Sequence, residues 1–131
     1  MVDDFEPWRD FVRSVLKTQP GLQVVGEASD GLEAVQKSQE LQPDLILLDI
    51  GLPTMNGIES ARRIQQLVPG AKILFASENS DVDVMRVALS DGGRGYILKS
   101  DASGELLPAI WAVLRGDLFI SRRLQQQQDT D

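Results

Sequence analysis

The stretch LILLDIGLPTMNG, residues 45–57, decides the fold class of this chain. Four consecutive apolar residues lead directly to the carboxylate of Asp49, and proline, asparagine and glycine follow within the next eight positions. An apolar run without period-2 alternation is typical of a strand buried on both faces, as in a parallel sheet with helices on either side. We therefore predict a buried strand over residues 45–48 that ends at Asp49.

Similar apolar runs lie on both sides of this stretch. Residues 73–76 and 96–98 are continuous apolar segments, and residues 23–28 form a weaker one. Their lengths fit strands, and none of them alternates as a strand with one solvent-facing side does. The sequence thus predicts several strands of one buried sheet.

Segments of helical periodicity separate these strands. Asp30 followed by Glu33 matches a capping box, which opens a helix that ends near Leu41, ahead of Pro43. Apolar residues at helical spacing predict further helices over residues 5–18, 57–68, 81–90 and around 106–114, and Pro108 must lie near the first turn of the last helix or kink it. Alternating strands and helices predict an α/β fold.

Composition limits the chemistry that the chain can perform. Its 131 residues suffice for one domain, and 42% are hydrophobic, enough for a buried core. Cysteine and histidine are absent from the sequence, which excludes disulfides, thiol chemistry, zinc sites and a histidine general base. The net charge of −7 repels nucleic-acid phosphates, so we predict no direct nucleic-acid partner.

The two ends of the sequence carry further expectations. No apolar run reaches 18 residues and no signal peptide precedes the first strand, which predicts a cytoplasmic protein without a membrane partner. The glutamine-rich residues 121–131 have few apolar side chains, and we expect a disordered polar tail there, after a domain over residues 1–120.

Polar side chains follow the predicted strands at the edge where their carboxyl ends meet. Asp3 and Asp4 follow a short apolar start, and Asp49, Ser77 and Lys99 each follow an apolar run. Taken singly, such residues are as typical of caps, turns or solvated surface as of a site. Together at the crevice of a parallel sheet, three carboxylates repel one another unless a cation binds, and oxygen ligands favour Mg²⁺.

Four motifs carry a resemblance to a known family. They are VDDF at residues 2–5, LLDIGLPTMNG at 47–57, ILFAS at 73–77 and GYILKS at 95–100. In this order and spacing they resemble the receiver domain of response regulators of the NarL/FixJ type. The resemblance implies a flavodoxin-like, doubly wound parallel sheet of five strands in the order 2-1-3-4-5.

The resemblance also implies a role for each residue of the site. Asp49 would be the phosphoacceptor nucleophile. The Mg²⁺ ligands would be Asp3, Asp4, Asp49 and the Gly51 carbonyl, with Asp4 as the direct ligand of the acidic pair. Lys99 and Ser77 would contact the phosphoryl oxygens, and Ser77 and Tyr96 would form the switch.

The implied partners are proteins. The phosphodonor would be a sensor histidine kinase or a phosphotransfer protein, and the output would pass to a downstream protein or a homodimer. The chain would be a switch that assists its own phosphorylation and dephosphorylation rather than an enzyme acting on another substrate.

Two departures and three alternatives accompany this interpretation. The first strand is truncated to Met1 and Val2, so we expect three or four apolar residues ahead of Met1 in the native reading frame, and we expect the receiver domain to stand without an output domain. A haloacid-dehalogenase-like phosphatase needs a second aspartate where Gly51 stands, and a flavodoxin-like carrier needs a phosphate loop where Phe5 and Pro7 stand. A receiver-like binding module that takes no phosphate remains open.

Overall fold

The computed structural model describes residues 1–130, although for residues 128–130 it describes the backbone alone. The helices are α1 (Glu6–Leu16), α2 (Gly31–Leu41), α3 (Gly57–Leu67), α4 (Val82–Ser90), α5 (Ala102–Leu114) and α6 (Arg122–Thr130). The strands are β1 (Leu45–Leu48), β2 (Lys72–Ser77), β3 (Gly95–Leu98) and β4 (Phe119–Ile120). A single 3-10 turn, Lys99–Asp101, joins β3 to α5.

The helix signals in the sequence have direct structural counterparts. The Asp30 carboxylate accepts a hydrogen bond from Glu33 N at 2.8 Å, and the Glu33 carboxylate accepts one from Ser29 N at 3.0 Å. The bond from Glu33 N satisfies a backbone donor that the helix leaves unpaired in its first turn, and the bond from Ser29 N ties the residue before the cap to the helix. Pro108, expected either near the first turn of the last helix or at a kink in it, lies inside α5, because that helix begins at Ala102.

The named strands form one parallel sheet in the order β1-β2-β3-β4. Val2 lies beyond β1 and forms parallel bridges to both Ala28 and Leu48. Its N–H donates to Leu47 O at 2.8 Å and its carbonyl accepts from Asp49 N at 3.0 Å. The predicted order is therefore confirmed, with the first strand reduced to a single bridging residue at the centre of the sheet.

Three details of the sheet and the C-terminal segment differ from the expectations. Within residues 23–28 the described β-bridge is that of Ala28 with Val2, and Gly26 O also accepts a hydrogen bond from the Met1 amine at 3.0 Å. The two residues of β4 were not predicted as a strand, and they extend the sheet beyond β3. The expected disordered tail is wrong from Arg122 onward, since α6 forms there and buries Leu124 completely. Asp131, the last residue of that predicted tail, lies outside the described residues.

Apolar side chains cover both faces of the sheet. One cluster lies on the side of α2, α3 and α4 and includes Leu48, Ile64, Phe75 and Met85. The other lies on the side of α1 and α5 and includes Trp8, Val12, Leu74, Ile97, Leu106 and Val113. Burial on both faces explains why the strands are continuously apolar and confirms the doubly wound architecture. Within the described residues, no helix is long and apolar enough to cross a bilayer.

Gly57 shapes the loop that follows Asp49. Its N–H donates to Ile50 O at 2.7 Å, and a Cβ at this position would lie 2.0 Å from Asp49 O. Only glycine lets the start of α3 approach the Asp49 backbone this closely. The end of β1 and the start of α3 are thereby held together around the predicted site.

Candidate functional site

The carboxyl ends of the central strands open into one cleft. It has a volume of about 520 Å³, and its lining includes Asp3, Asp4, Asp49, Ser77 and Lys99. Gly51 and Asn79 also line it. The structure therefore brings together the residues that the sequence placed at separate strand ends, as expected for parallel strands that end at one edge.

Three carboxylates define the acidic side of the cleft. One oxygen from each of Asp3, Asp4 and Asp49 lies within 4.8 Å of the others. Asp3 is 1% exposed and Asp49 is 9% exposed, whereas Asp4 faces solvent. Two buried carboxylates with a third one this close are unfavourable without a compensating cation.

Asp3 is tied to the backbone on one side of its carboxylate. Its Oδ1 accepts a hydrogen bond from Phe5 N at 2.9 Å. Its Oδ2 is buried and receives no hydrogen bond from the described residues, although Lys99 Nζ lies 2.6 Å away in an ionic contact. A buried carboxylate oxygen with a free lone pair is what a cation-binding site requires.

Lys99 supplies the positive charge at the end of β3. Its Nζ lies 2.6 Å from Asp3 Oδ2 and 3.7 Å from Asp49 Oδ1, and its side chain is 13% exposed. The same Nζ lies 5.3 Å from the centre of the Trp8 ring. Lys99 is thus a largely buried cation held among acceptors rather than a solvent-facing charge.

The environment of Asp49 acts on its ionisation in opposing directions. Burial raises the pKa of Asp49, and the nearby Asp3 carboxylate raises it further. Lys99 and hydrogen bonds from the backbone N–H groups of Gly51 and Ile50 act against this shift. The net effect raises the pKa, so additional positive charge in the cleft would favour the ionised, nucleophilic form.

The donor set fits a hard divalent cation. The three clustered groups are carboxylates, and the buried Oδ2 of Asp3 receives no hydrogen bond from the described residues, its contact with Lys99 being ionic. Oxygen ligands without nitrogen or sulfur suit Mg²⁺ or Mn²⁺.

Ser77 and Tyr96 are linked through the backbone of Asn79. Ser77 Oγ accepts from Asn79 N at 3.0 Å, and the Tyr96 hydroxyl donates to Asn79 O at 2.8 Å. Tyr96 is fully buried, and burial raises the pKa of its phenol. The side chain therefore points inward in this structure.

Residues 1–111 match the family model described as the response regulator receiver domain. The chain belongs to the response regulator receiver family.

The sequence of this receiver domain is similar to those of several regulators. It is 34% identical over 125 residues to the nitrate/nitrite response regulator protein NarL of Escherichia coli K12, which covers 95% of this chain and 57% of NarL. It is 39% identical over 117 residues to the response regulator protein VraR of Staphylococcus aureus, which covers 88% of this chain and 56% of VraR. The chain thus spans little more than half the length of these relatives.

Solved receiver structures share its fold. A two-component response regulator of the LuxR family from Aurantimonas sp. SI85-9A1 superimposes with a TM-score of 0.93 at 33% identity, covering 99% of this chain and 95% of that one. The response regulator domain of Thermotoga maritima CheB gives a TM-score of 0.81 at 32% identity, with 87% and 92% of the two chains covered. The α/β receiver fold expected from the motifs is confirmed.

Sequence reasoning did not assign two residues that the structure places at the receiver site. Asn79 joins Ser77 to Tyr96 through its backbone, and Trp8 lies against the Lys99 ammonium. No local pattern marks Asn79 for this role. Trp8 could have been identified from the sequence, because it follows Asp4 by four residues. It therefore lies in the first turn of α1, close to the acidic pair.

Proposed function

We propose that this receiver domain accepts a phosphoryl group on Asp49. The observation that carries the proposal is the convergence of the Asp49 carboxylate, two further carboxylates and the Lys99 ammonium in one cleft. Phosphoryl transfer depends on positioning and on neutralising the phosphoryl oxygens, so such a site needs no histidine base.

The transfer is a displacement at phosphorus. An Asp49 oxygen attacks, the bond from phosphorus to the donor atom breaks, and its electron pair leaves with the donor group. The product is an aspartyl phosphate. Because Asp49 must attack as a carboxylate, the positive charge beside it favours the reactive form.

Other residues of the cleft would bind the metal ion or the phosphoryl oxygens. Asp3, Asp4, Asp49 and the Gly51 carbonyl would hold Mg²⁺, with Asp4 as a direct ligand. When bound, Mg²⁺ neutralises charge on the acceptor and on the phosphoryl oxygens. Lys99 and the Ser77 hydroxyl bind the remaining oxygens, and the same groups assist loss of the phosphoryl group to water.

The proposed donor is a phosphohistidine on a sensor histidine kinase or a phosphotransfer protein. Its imidazole nitrogen would take the electron pair of the broken P–N bond. Similarity to response regulators supports this class of donor.

The proposed output is a protein contact, either with a downstream partner or with a second copy of the chain. The net charge of −7 disfavours direct binding of these 131 residues to nucleic acid. The Ser77–Asn79–Tyr96 linkage connects the acceptor cleft to α4 and β3, which would form the surface that changes. Ser77 and Tyr96 are the proposed switch residues.

Intact mass after incubation with phosphoramidate and Mg²⁺ tests the proposal. The wild-type chain should gain one phosphoryl group, and Asp49→Asn should gain none. Chelation of Mg²⁺ should stop the reaction. A wild-type chain that stays unmodified would favour a receiver-like binding module, and an Asp49→Asn variant labelled to the wild-type extent would exclude Asp49 as the acceptor.

A further inference from the structure

One aromatic side chain contacts the charged cleft without having a role in the proposed transfer. Trp8 lies in the first turn of α1, and its ring centre is 5.3 Å from Lys99 Nζ. A cation within about 6 Å of an indole face is attracted to it, and tryptophan attracts more strongly than tyrosine or phenylalanine. Within the described part of the chain, the Lys99 ammonium makes ionic contacts with Asp3 and Asp49 and a cation–π contact with the Trp8 ring.

The position of Trp8 is tied to that of the acidic cleft. Asp3 Oδ1 accepts from Phe5 N at 2.9 Å, and Arg9 Nη1 donates to Asp3 O at 2.6 Å. These contacts hold the start of α1 against the strand end that carries the site. Trp8 itself is 9% exposed and belongs to the apolar cluster that includes Ala102 and Leu106. The indole ring is therefore held in place beside the ammonium by the packing of the core.

The two carboxylates beside Lys99 each bind another group during the proposed reaction. Asp3 would bind Mg²⁺ and Asp49 would bond to phosphorus, so each loses negative charge available to the lysine. The Trp8 ring takes part in neither event. It is the neighbour, among those three, whose attraction for the ammonium persists through the transfer.

We propose that Trp8 is a positioning residue for phosphoryl transfer, whose indole face keeps the Lys99 ammonium at the acceptor when Asp3 is engaged by Mg²⁺. This inference rests on the proposed function of Asp49. A tryptophan that served only to fill the core would affect the stability of the domain and leave the rate of the folded protein unchanged. The two roles therefore predict different kinetics.

The kinetic test compares Trp8→Leu, Trp8→Phe and the matched control Phe11→Leu. Phe11 is also an aromatic residue of α1, 5.5 Å from Trp8, but the cation–π contact to Lys99 is made by Trp8. All variants are assayed with saturating Mg²⁺ and a range of phosphoramidate concentrations, at a temperature where circular dichroism shows each one folded.

Trp8→Leu should lower the maximal phosphorylation rate on the order of tenfold, the range expected for losing one partly desolvated cation–π contact. The phosphoramidate concentration for half-maximal rate should change little, Trp8→Phe should restore part of the rate, and Phe11→Leu should react like the wild type. Equal maximal rates for Trp8→Leu and the wild type would overturn the inference while leaving Asp49 as the acceptor. A wild-type chain that takes no phosphate would instead overturn the proposed function.

Fluorescence supplies an independent readout. The sequence contains two tryptophans, so in a Trp111→Phe background Trp8 is the sole indole. Saturating Mg²⁺ should change its emission because the ammonium shifts along the ring when Asp3 is engaged. Lys99→Gln should abolish this change while calorimetry still detects Mg²⁺ binding. An emission change of the same size in Lys99→Gln would contradict coupling of Trp8 to the lysine.

Discussion

Lys99 Nζ lies 2.6 Å from Asp3 Oδ2, more than an ångström closer than its 3.7 Å distance to Asp49 Oδ1. In this structure the lysine therefore neutralises a proposed metal ligand more directly than the proposed phosphoacceptor. A cation that binds Asp3 must compete with the ammonium for the same carboxylate. Lysine and metal thus act against each other before phosphorylation, although both would serve the transfer.

This competition predicts that Lys99→Met binds Mg²⁺ more tightly than the wild type. Removing a positive charge within a few ångströms of the acidic cluster should raise the affinity about fivefold or more, corresponding to ~1 kcal/mol. The phosphorylation rate should fall in the same variant. Isothermal calorimetry measures the affinity, and Lys17→Met, which removes the same charge from an exposed position, is the control. Weaker Mg²⁺ binding in Lys99→Met would show that the lysine supports the metal site instead.

The loop after Asp49 should tolerate no side chain at Gly57. A Cβ there would lie 2.0 Å from Asp49 O, so Gly57→Ala must displace either α3 or the acceptor backbone. We expect a loss of about 1 to 3 kcal/mol in the free energy of unfolding, together with slower phosphorylation. Gly104→Ala is the matched control, since its Cβ would meet no atom within 4 Å inside helix α5. That substitution should leave stability unchanged or raise it by about 0.5 to 1 kcal/mol. Urea denaturation compares the two, and equal midpoints would contradict the steric argument.

Helix α6 should contribute to the stability of the domain. Leu124 is fully buried, and Ser121 Oγ both accepts from Leu98 N at 2.8 Å and donates to Glu105 Oε1 at 2.9 Å. Leu124→Ala should lower the free energy of unfolding by about 2 kcal/mol or more, because it leaves a cavity against the core. Leu118→Ala, at a residue 60% exposed, should change it by less than about 0.5 kcal/mol. Thermal unfolding measures both variants, and a Leu124→Ala midpoint equal to that of the wild type would place α6 outside the cooperative unit.

The pH dependence of stability should include a contribution from Glu27. Its carboxylate accepts hydrogen bonds from Arg13 Nε at 2.6 Å and Nη2 at 2.8 Å, and these bonds lower the pKa of Glu27. Because the folded pKa lies below the unfolded one, the stabilisation is present above the unfolded pKa, near 4.5, and is lost as the pH falls through the folded value.

Glu27→Gln should therefore be less stable than the wild type at pH 7, by no more than about 1 kcal/mol for this partly exposed pair. The difference should shrink as the pH falls below 4.5 and through the lowered pKa of the folded state. Urea denaturation across this range measures it, with Glu40→Gln at an exposed position as the control. A stability difference that stays constant from pH 7 to pH 3 would rule out the Glu27 ionisation as its source.

Local patterns predicted most of the regular structure for physical reasons that act over a few residues. Burial on both faces requires continuous apolar strands, so β1, β2 and β3 could be located from apolar runs in the sequence. Side-chain capping acts within one turn, so the start of α2 at Asp30 could be identified. The short β4 carries no such signal, because a two-residue strand shows no periodicity.

The tail expectation failed because burial is a property of the whole chain. A run of glutamines predicts disorder locally, yet a single leucine before it, Leu124, reaches the core once β4 has aligned the chain beside β3. The Glu105 carboxylate then accepts from Arg122 N at 3.1 Å at the start of the helix. These contacts join residues 17 or more positions apart, beyond the range of any local pattern.

By itself, the sequence determined the receiver architecture and the identity of five of the polar residues that line the cleft, since parallel strands bring their carboxyl ends to one edge whatever the details of packing. Tertiary structure alone decided which carboxylate the Lys99 ammonium pairs with more closely. Whether Lys99 lies nearer Asp3 or Asp49, and which ring it lies against, depends on the packing of α1 beside β3. Electrostatic attraction varies with distances of an ångström, and residue spacing along a chain does not specify distances between side chains so far apart.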